Sequence, residues 1–246
     1  MSPLTLTVLG CDGSHAGPGG AASGYLVRDW GSGTAIWLDA GPGTFAALQQ
    51  YTDPAELSAI VLTHEHEDHW SDVHGFLTAA RWTMEFSRDP VPVLAAPGVR
   101  SRLRQEPEGF LDWREVGDGD SARIGGIDVR FSRTDHPPVT LGVRLQIPEG
   151  AVGYSADSGP GWSMSALGPG IDLALCEATY TEAFENGEAG HMSGTQAGRM
   201  ARETGAKRLV ITHRWAKIPA ADVLEEAEAA FGGRVDAAEP GRGFSL

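Results

Sequence analysis

The sequence predicts a single layered α/β domain with its chemistry collected on one rim, and three observations point there. Short apolar runs of strand length alternate with segments of helical spacing along the chain. Residue types that bind metals stand at the exits of those runs rather than inside them. The 246 residues suffice for one sizeable core and show no composition break, so residues 1–246 read as one domain.

Leu4 to Leu9 alternates as a first strand, and the glycine-rich loop Gly10 to Gly20 that follows lets backbone approach a ligand closely. His15 in this loop is either an exposed side chain or a substrate contact. Ser23 to Arg28 and Thr34 to Leu38 read as a hairpin across Asp29 to Gly33. Its second arm ends at Asp39-Ala40-Gly41-Pro42-Gly43, where Asp39 either braces a neighbouring ligand or caps its own turn. Thr44 to Tyr51 is a short helix.

Next comes a buried strand, Ala59-Ile60-Val61-Leu62, which stops at His64-Glu65-His66-Glu67-Asp68-His69. On extended backbone His64 and His66 point to one side, whereas Asp68 and His69 need a tighter turn to project elsewhere. That division suits two neighbouring ions better than one. Neutral imidazole and carboxylate are ordinary zinc ligands, and paired ions can clamp both the attacking and leaving oxygens of a displacement. A solvated polar turn is the alternative reading.

Val73, Phe76, Leu77 and Ala80 give Val73 to Trp82 helical spacing, so the ligand turn is expected to open a helix whose positive end favours anions. His74 on that helix is given no role. Val91 to Ala96 is a strand, Val99 to Gln105 a short helix, and Glu106 to Asp120 polar and irregular. The strand Ile127 to Arg133 runs into Thr134-Asp135-His136-Pro137-Pro138, where the prolines restrict the backbone; His136 is the candidate third imidazole for the first ion. Leu141 to Ile147 and Val152 to Ser155 form another strand pair. Asp157 lies just beyond, beside Gly159, in the right place for a carboxylate bridging two cations. Leu173 to Thr179 is a buried strand with Glu177 at its exit. Gly190-His191-Met192 precedes a helix opened by Ser193, with Gln196 completing a capping box and Gly205 closing it. Arg208 to Thr212 delivers His213, and Pro219 to Phe231 is a last helix. Lys207, Arg208 and Arg214 are either phosphate contacts or exposed surface.

Apolar residues at 41% and charged residues at 21% are ordinary globular usage, so the 33 glycines belong to turns and site loops rather than to disorder. The first ten residues carry no basic leader, and no run reaches the roughly 18 apolar residues of a membrane span, so a cytoplasmic protein without membrane contact is expected. Two cysteines, Cys11 and Cys176, are too few for a disulfide framework and read as reduced core thiols. A net charge of −14 disfavours long nucleic acid as a partner, because such affinity comes largely from Lys and Arg. A small-molecule substrate fits better, and a homodimer stays open. The tryptophans read as packing, with some able to stack on a base.

The run Leu38-Asp39-Ala40-Gly41, the H-x-H-x-D-H motif, His136, Asp157 and His213 together resemble the metallo-β-lactamase superfamily. The resemblance implies a four-layer αββα sandwich with two divalent ions at one sheet edge. It implies that His64, His66 and His136 hold one ion, that Asp68, His69 and His213 hold the other, and that Asp157 bridges them. Zinc is the expected metal, with manganese or iron as alternatives. Within the superfamily the chain resembles the phosphodiesterase branch, which contains RNase Z-type endonucleases and cyclic-nucleotide phosphodiesterases. The residues that carry this are Val8-Leu9-Gly10-Cys11-Asp12-Gly13, Cys176-Glu177-Ala178-Thr179, similar to that branch's H-E-A-T loop, and His191 before a helix. Cys176 replaces that loop's histidine, and Met192 stands where a serine is common. No Gly/Pro-rich basic arm is present. The resemblance thus implies a metal-dependent hydrolase of a small phosphodiester such as a cyclic nucleotide. Asp68 would orient the attacking water and His191, poised by Glu177, would act as general acid. Glu177 and His191 could instead be a purely structural pair. RNA cleavage, and hydrolysis of a carbon ester, thioester or lactam, are the alternative activities.

Overall fold

The computed structural model describes residues 3–83, 89–103, 109–185 and 190–246. The N-terminal half runs β1 (Leu4–Gly10), β2 (Gly24–Asp29), β3 (Thr34–Ala40), α1 (Thr44–Leu48), β4 (Ala59–Leu62), α2 (Val73–Trp82), β5 (Val91–Ala95), α3 (Val99–Arg102) and β6 (Leu111–Glu115). The C-terminal half runs β7 (Ser121–Ile124), β8 (Ile127–Arg133), β9 (Leu141–Ile147), β10 (Gly150–Tyr154), β11 (Leu173–Glu177), α4 (Gly194–Thr204), β12 (Arg208–Thr212), α5 (Ala220–Phe231), β13 (Val235–Ala237) and β14 (Gly243–Ser245). Among the described residues these strands form two seven-stranded sheets, ordered β14-β1-β2-β3-β4-β5-β6 and β13-β12-β11-β10-β9-β8-β7.

Both sheets are mixed. Hairpins make β1, β2 and β3 antiparallel, whereas β3 to β6 pair in parallel. The second sheet mirrors this, with β7 to β10 antiparallel and β10 to β13 parallel. Parallel neighbours need crossovers, supplied by segments carrying α1, α2 and α3 in the first sheet and the 3₁₀ turn Met164–Leu167, α4 and α5 in the second. Strand β8 shows the logic in its alternation: Ile127, Val129 and Phe131 are buried, Asp128 and Arg130 exposed. Its apolar face shares one core with Leu6, Val8, Ile36 and Leu38 of the first sheet. A second cluster lies between the other sheet and α4 and α5, joining Cys176, Ile211, Ala197, Ala201 and Val223. The result is an αββα sandwich. No helix among the described residues is long and apolar enough to cross a membrane.

Helices α4 and α5 pack backbone to backbone, for a Cβ on Gly198 would stand 2.4 Å from the Ala227 carbonyl oxygen. Helix α4 begins with the expected capping box: the Ser193 amide donates to Gln196 Oε1 at 2.9 Å and the Gln196 amide to Ser193 Oγ at 3.3 Å. Gly205 closes the helix in the left-handed conformation.

The structure departs from the sequence reading in a few places. Strand β6 lies inside the stretch expected to be irregular. Leu111-Asp112-Trp113-Arg114-Glu115 has no clean apolar alternation because it is an edge strand, paired only to β5, and most of its side chains face solvent. Residues 106–108 of that stretch, and the end of the helix expected over Val99 to Gln105, lie outside the described residues. The first helix stops at Leu48 rather than Tyr51. The ligand turn does not open α2. Glu67–His69 is a separate 3₁₀ turn and α2 starts at Val73; Asp72, the residue before it, accepts the Phe45 amide on its carboxylate at 2.8 Å.

Candidate metal centre

Strands β4, β11 and β12 pair into their sheets in parallel, so their C-terminal ends open onto one edge, where ligands of such sheets gather. His64, Glu177 and His213 stand at those ends, and the exits of β8 and β10 add His136 and Asp157. The turn after β4 then carries His66, Asp68 and His69 to the same place. All seven sequence-predicted ligands converge there, in two groups sharing an edge. His64, His66, His136 and Asp157 present donor atoms within 4.8 Å of one another, as do Asp68, His69 and His213.

The donor separations are those of coordination polyhedra. Bonds of about 2.0–2.2 Å to a tetrahedral ion put neighbouring donors about 3.3–3.6 Å apart. In the first group His66 Nδ1 lies 3.1 Å from His64 Nε2 and 3.2 Å from His136 Nε2. Asp157 Oδ2 lies 3.5 Å from His64 Nε2 and 3.9 Å from His136 Nε2. In the second, Asp68 Oδ2 lies 3.7 Å from His69 Nε2 and 3.3 Å from His213 Nε2. Asp157 Oδ1 completes that group at 3.3 and 3.5 Å from the same two nitrogens. Asp157 therefore offers one oxygen to each group, the geometry of a bridge. His69 Nε2 and Asp157 Oδ1 are buried and lack a hydrogen-bond partner. Buried polar atoms turned inward without partners fit a site that holds cations.

Electrostatics agree. Burial disfavours the imidazolium of His69, yet Asp157, Asp68 and Asp39 together lift it well above its ordinary range. Burial likewise opposes ionised Asp157, but the charges of His213, His69 and His64 hold its carboxyl well below the usual value. His64, fully buried and beside His69, is pushed well below, as a neutral ligand should be. Three carboxylates around a few imidazoles are a surplus of negative charge that metal cations would neutralise.

Outer partners fix the rings. Asp39 braces the ligands rather than its own turn: Oδ2 accepts from His69 Nδ1 at 2.8 Å, Thr63 Oγ1 at 2.9 Å and Tyr154 OH at 3.0 Å, and Oδ1 from the Thr63 amide at 2.9 Å. His136 Nδ1 donates to the Gly190 carbonyl at 2.6 Å, and Thr179 Oγ1 sits 3.0 Å from His213 Nδ1. Asp39, Ala156 and His213 are non-glycine residues with φ of 55, 50 and 50°. Such strain costs about 1–3 kcal/mol at each position and persists only where surroundings over-determine it. Gly41 is needed for close approach, since a Cβ there would stand 2.0 Å from the Asp68 carbonyl oxygen.

Beside both groups stands His191. Its ring stacks on His213, with centroids 5.4 Å apart and planes 16° apart, and lies 4.9 Å from that of His136. Glu177, fully buried, accepts the His191 Nδ1 proton on Oε1 at 2.8 Å. Burial disfavours a charged His191, but Glu177's charge and hydrogen bond outweigh it and raise the imidazolium to about 9. Glu177 touches no open space; the remainder of its carboxylate takes the amides of Ser158, Thr179 and Met192 and the Thr179 hydroxyl. It positions His191.

Sequence reading missed Thr179, which ties Glu177 to His213, and Thr63 and Tyr154, which hold Asp39. A hydroxyl two residues beyond Glu177 at a strand exit was the available signal for the first. Tyr154 had none, because it reaches Asp39 across the two sheets. Lys207 and Arg208 lie at the start of β12, roughly 20 Å along the strand from His213, and pair with Asp172 and Asp236. They are not site residues. Arg214, next to His213, is half-buried, and its buried Nε has no hydrogen-bond partner. His15 and His74 are exposed. Cys176 packs in the core beneath α4, and Cys11 and Cys176 are both free and buried.

Residues 34–214 match a family model described as a beta-lactamase superfamily domain. The chain is 33% identical over 257 residues to the uncharacterized protein ML1173 of Mycobacterium leprae, covering 99% of this chain and 89% of that one. It is 28% identical over 244 residues to the probable metallo-hydrolase YhfI of Bacillus subtilis, covering 97% and 98%. The crystal structure of YhfI, a metallo-beta-lactamase fold protein, superposes with a TM-score of 0.88 at 26% identity over 98% of this chain and 99% of that one. A ribonuclease Z of Mycobacterium marinum is 26% identical over 271 residues, 95% of each.

Proposed function

The chain belongs to the beta-lactamase superfamily of metal-dependent hydrolases, and on that premise we propose that it hydrolyses a small phosphodiester, such as a cyclic nucleotide, with two divalent ions. His64, His66 and His136 would hold one ion, Asp68, His69 and His213 the other, and Asp157 both. Zinc suits the donor set. Ions bound there supply a water acidified toward neutrality and positive charge facing the phosphoryl oxygens.

The observation that carries the reading is the Glu177–His191 pair. An alkoxide leaving a phosphodiester is a poor leaving group and needs a proton. With Nδ1 committed to Glu177, His191 keeps its other nitrogen for that purpose, beside both donor groups. Stacking on His213 holds its ring in place. Asp68, at the outer side of the second group and slightly exposed, is placed to orient the attacking water. Tyr180 meets both His191 and Trp215 edge to face, at 5.8 and 5.1 Å between centroids, and the ammonium of Lys217 lies 4.0 Å over Trp215. Aromatic surface with a cation beside it suits a nucleoside phosphate. Likeness to ribonuclease Z favours RNA as a second reading, against which the net charge of −14 stands.

The test is turnover of bis(p-nitrophenyl) phosphate with metal content measured on the same sample. Activity should vanish on chelation and return with zinc or manganese. His191→Ala should keep its metal and lose about 10²–10⁴-fold in turnover of a cyclic nucleotide, whose alkoxide needs the proton, and much less on the nitrophenyl ester, whose phenolate leaves unaided; His66→Ala should lose metal as well. A His191→Ala enzyme that still cleaves carbon esters at the wild-type rate, with no phosphodiester turnover in the wild type, would move the assignment to an esterase.

A further inference from the structure

The outer face of the second sheet carries a cavity of about 750 Å³ beside β7, β8, β9 and the turn Met164–Leu167, lined by none of the candidate metal ligands. Three arginines line it, Arg123, Arg130 and Arg144, with Asp128 as the lining carboxylate. In a chain of net charge −14 such a gathering of cations is unexpected. Asp128 is already paired with Arg123 at 3.0 Å, which leaves Arg130 and Arg144.

These two face each other directly across the antiparallel β8–β9 ladder, where like charges repel. Arg144 is more than nine-tenths buried and is held by neutral acceptors only: Gln146 Oε1 at 2.9 Å and the carbonyls of Gly168 and Pro169 at 3.2 and 2.9 Å. Those bonds aim the guanidinium without neutralising it. Burial disfavours its charge, Asp172 relieves part of that and Arg130 adds to it. Arg130 makes no ion pair with any described residue. The two guanidiniums converge over Gly168: a Cβ on that glycine would meet Arg130 Nη1 and Arg144 Nη1, each at 4.0 Å. Their Nη1 atoms thus lie no more than twice that distance apart. Arg144 Nη1 spends both its N–H groups on the two carbonyls, so an oxyanion would take its charge-assisted bonds of about 2.7–2.9 Å from Arg144 Nη2 and from Arg130.

We propose that this groove binds a compact phosphate dianion, a phosphomonoester or free phosphate, between Arg130 and Arg144. Two unneutralised cations match a dianion better than the single charge of a phosphodiester linkage. The assignment does not depend on which reaction the metal centre performs.

Titration calorimetry of the metal-loaded protein with inorganic phosphate at low ionic strength tests it. The wild type should show a class of sites that Arg130→Gln weakens by about tenfold or more, the effect of losing one charge-assisted bond. That class should survive in Asp68→Asn, which alters only the metal centre. Arg130 is exposed, so its replacement leaves the fold intact, and Arg144→Gln should act in the same direction. Identical isotherms for wild type and Arg130→Gln would overturn the proposal. So would an RNA decamer without terminal phosphate that binds here more tightly than orthophosphate, which would mark a strand-binding surface instead.

Discussion

Replacing Glu177 by Gln keeps the side chain's shape and removes one acceptor. Glu177 receives five donors: the amides of Ser158, Thr179 and Met192, the Thr179 hydroxyl and His191 Nδ1, at 2.8–3.3 Å. A glutamine must turn its amide nitrogen toward one side. Toward Thr179 and Met192 it opposes two backbone N–H groups; toward Ser158 it opposes one, and His191 can respond by moving its proton to the other nitrogen. The second arrangement is the less costly. It still leaves the Ser158 amide unsatisfied in a fully buried place, about 1–3 kcal/mol, and loses the charge-assisted bond to His191, about 1.5–3 kcal/mol. The sum is about 2.5–6 kcal/mol, with no solvent to relieve it since Glu177 is wholly inaccessible. For a chain of this size that corresponds to a fall in Tm of roughly 5–24 °C. Denaturant and thermal unfolding, with metal loaded and after chelation, read it directly. A Glu177→Gln protein melting within about a degree of wild type would refute the account of Glu177 as a carboxylate held by donors alone.

The other predictions concern single contacts. Gly41→Ala drives a Cβ into the Asp68 carbonyl, 2.0 Å away, so the ligand turn must shift; metal affinity should fall about 10–100-fold in competition with a chromophoric chelator. Retention of full affinity would show that the loop yields instead. Ser193→Ala removes the α4 cap and should cost about 1 kcal/mol in urea unfolding while leaving metal content unchanged. Burial, joined by Asp12, pushes the Cys11 thiol up to about 12, and burial raises Cys176 further, so both stay protonated at pH 8. Neither should react with a thiol reagent in the native protein, and both should on unfolding.

Much of the fold was legible because its signals are local. The strands β4, β8 and β12 and the helix α2 have the bounds expected of them, since apolar runs and helical spacing report burial on one face or two. The edge strand β6 was not legible, because an edge has little to bury and so little pattern. The seven candidate ligands could be named from strand exits, as metal sites need His and Asp whose backbone is held by a preceding strand.

By itself the sequence determined the class of chemistry: imidazoles and carboxylates at H-x-H-x-D-H spacing, each placed where a strand ends. The family resemblance implied how they divide; only tertiary structure decided the contacts that hold them in place. That Asp157 gives one oxygen to each group and that Asp39 reaches both His69 and Tyr154 depend on two sheets packed face to face with these strand ends at one rim, and that Thr179 couples Glu177 to His213 depends on β11 lying beside β12. The same holds for Arg130 and Arg144, fourteen positions apart in sequence and directly opposed in the ladder. Local spacing dictates which way a side chain leaves the backbone; register and packing decide what it meets.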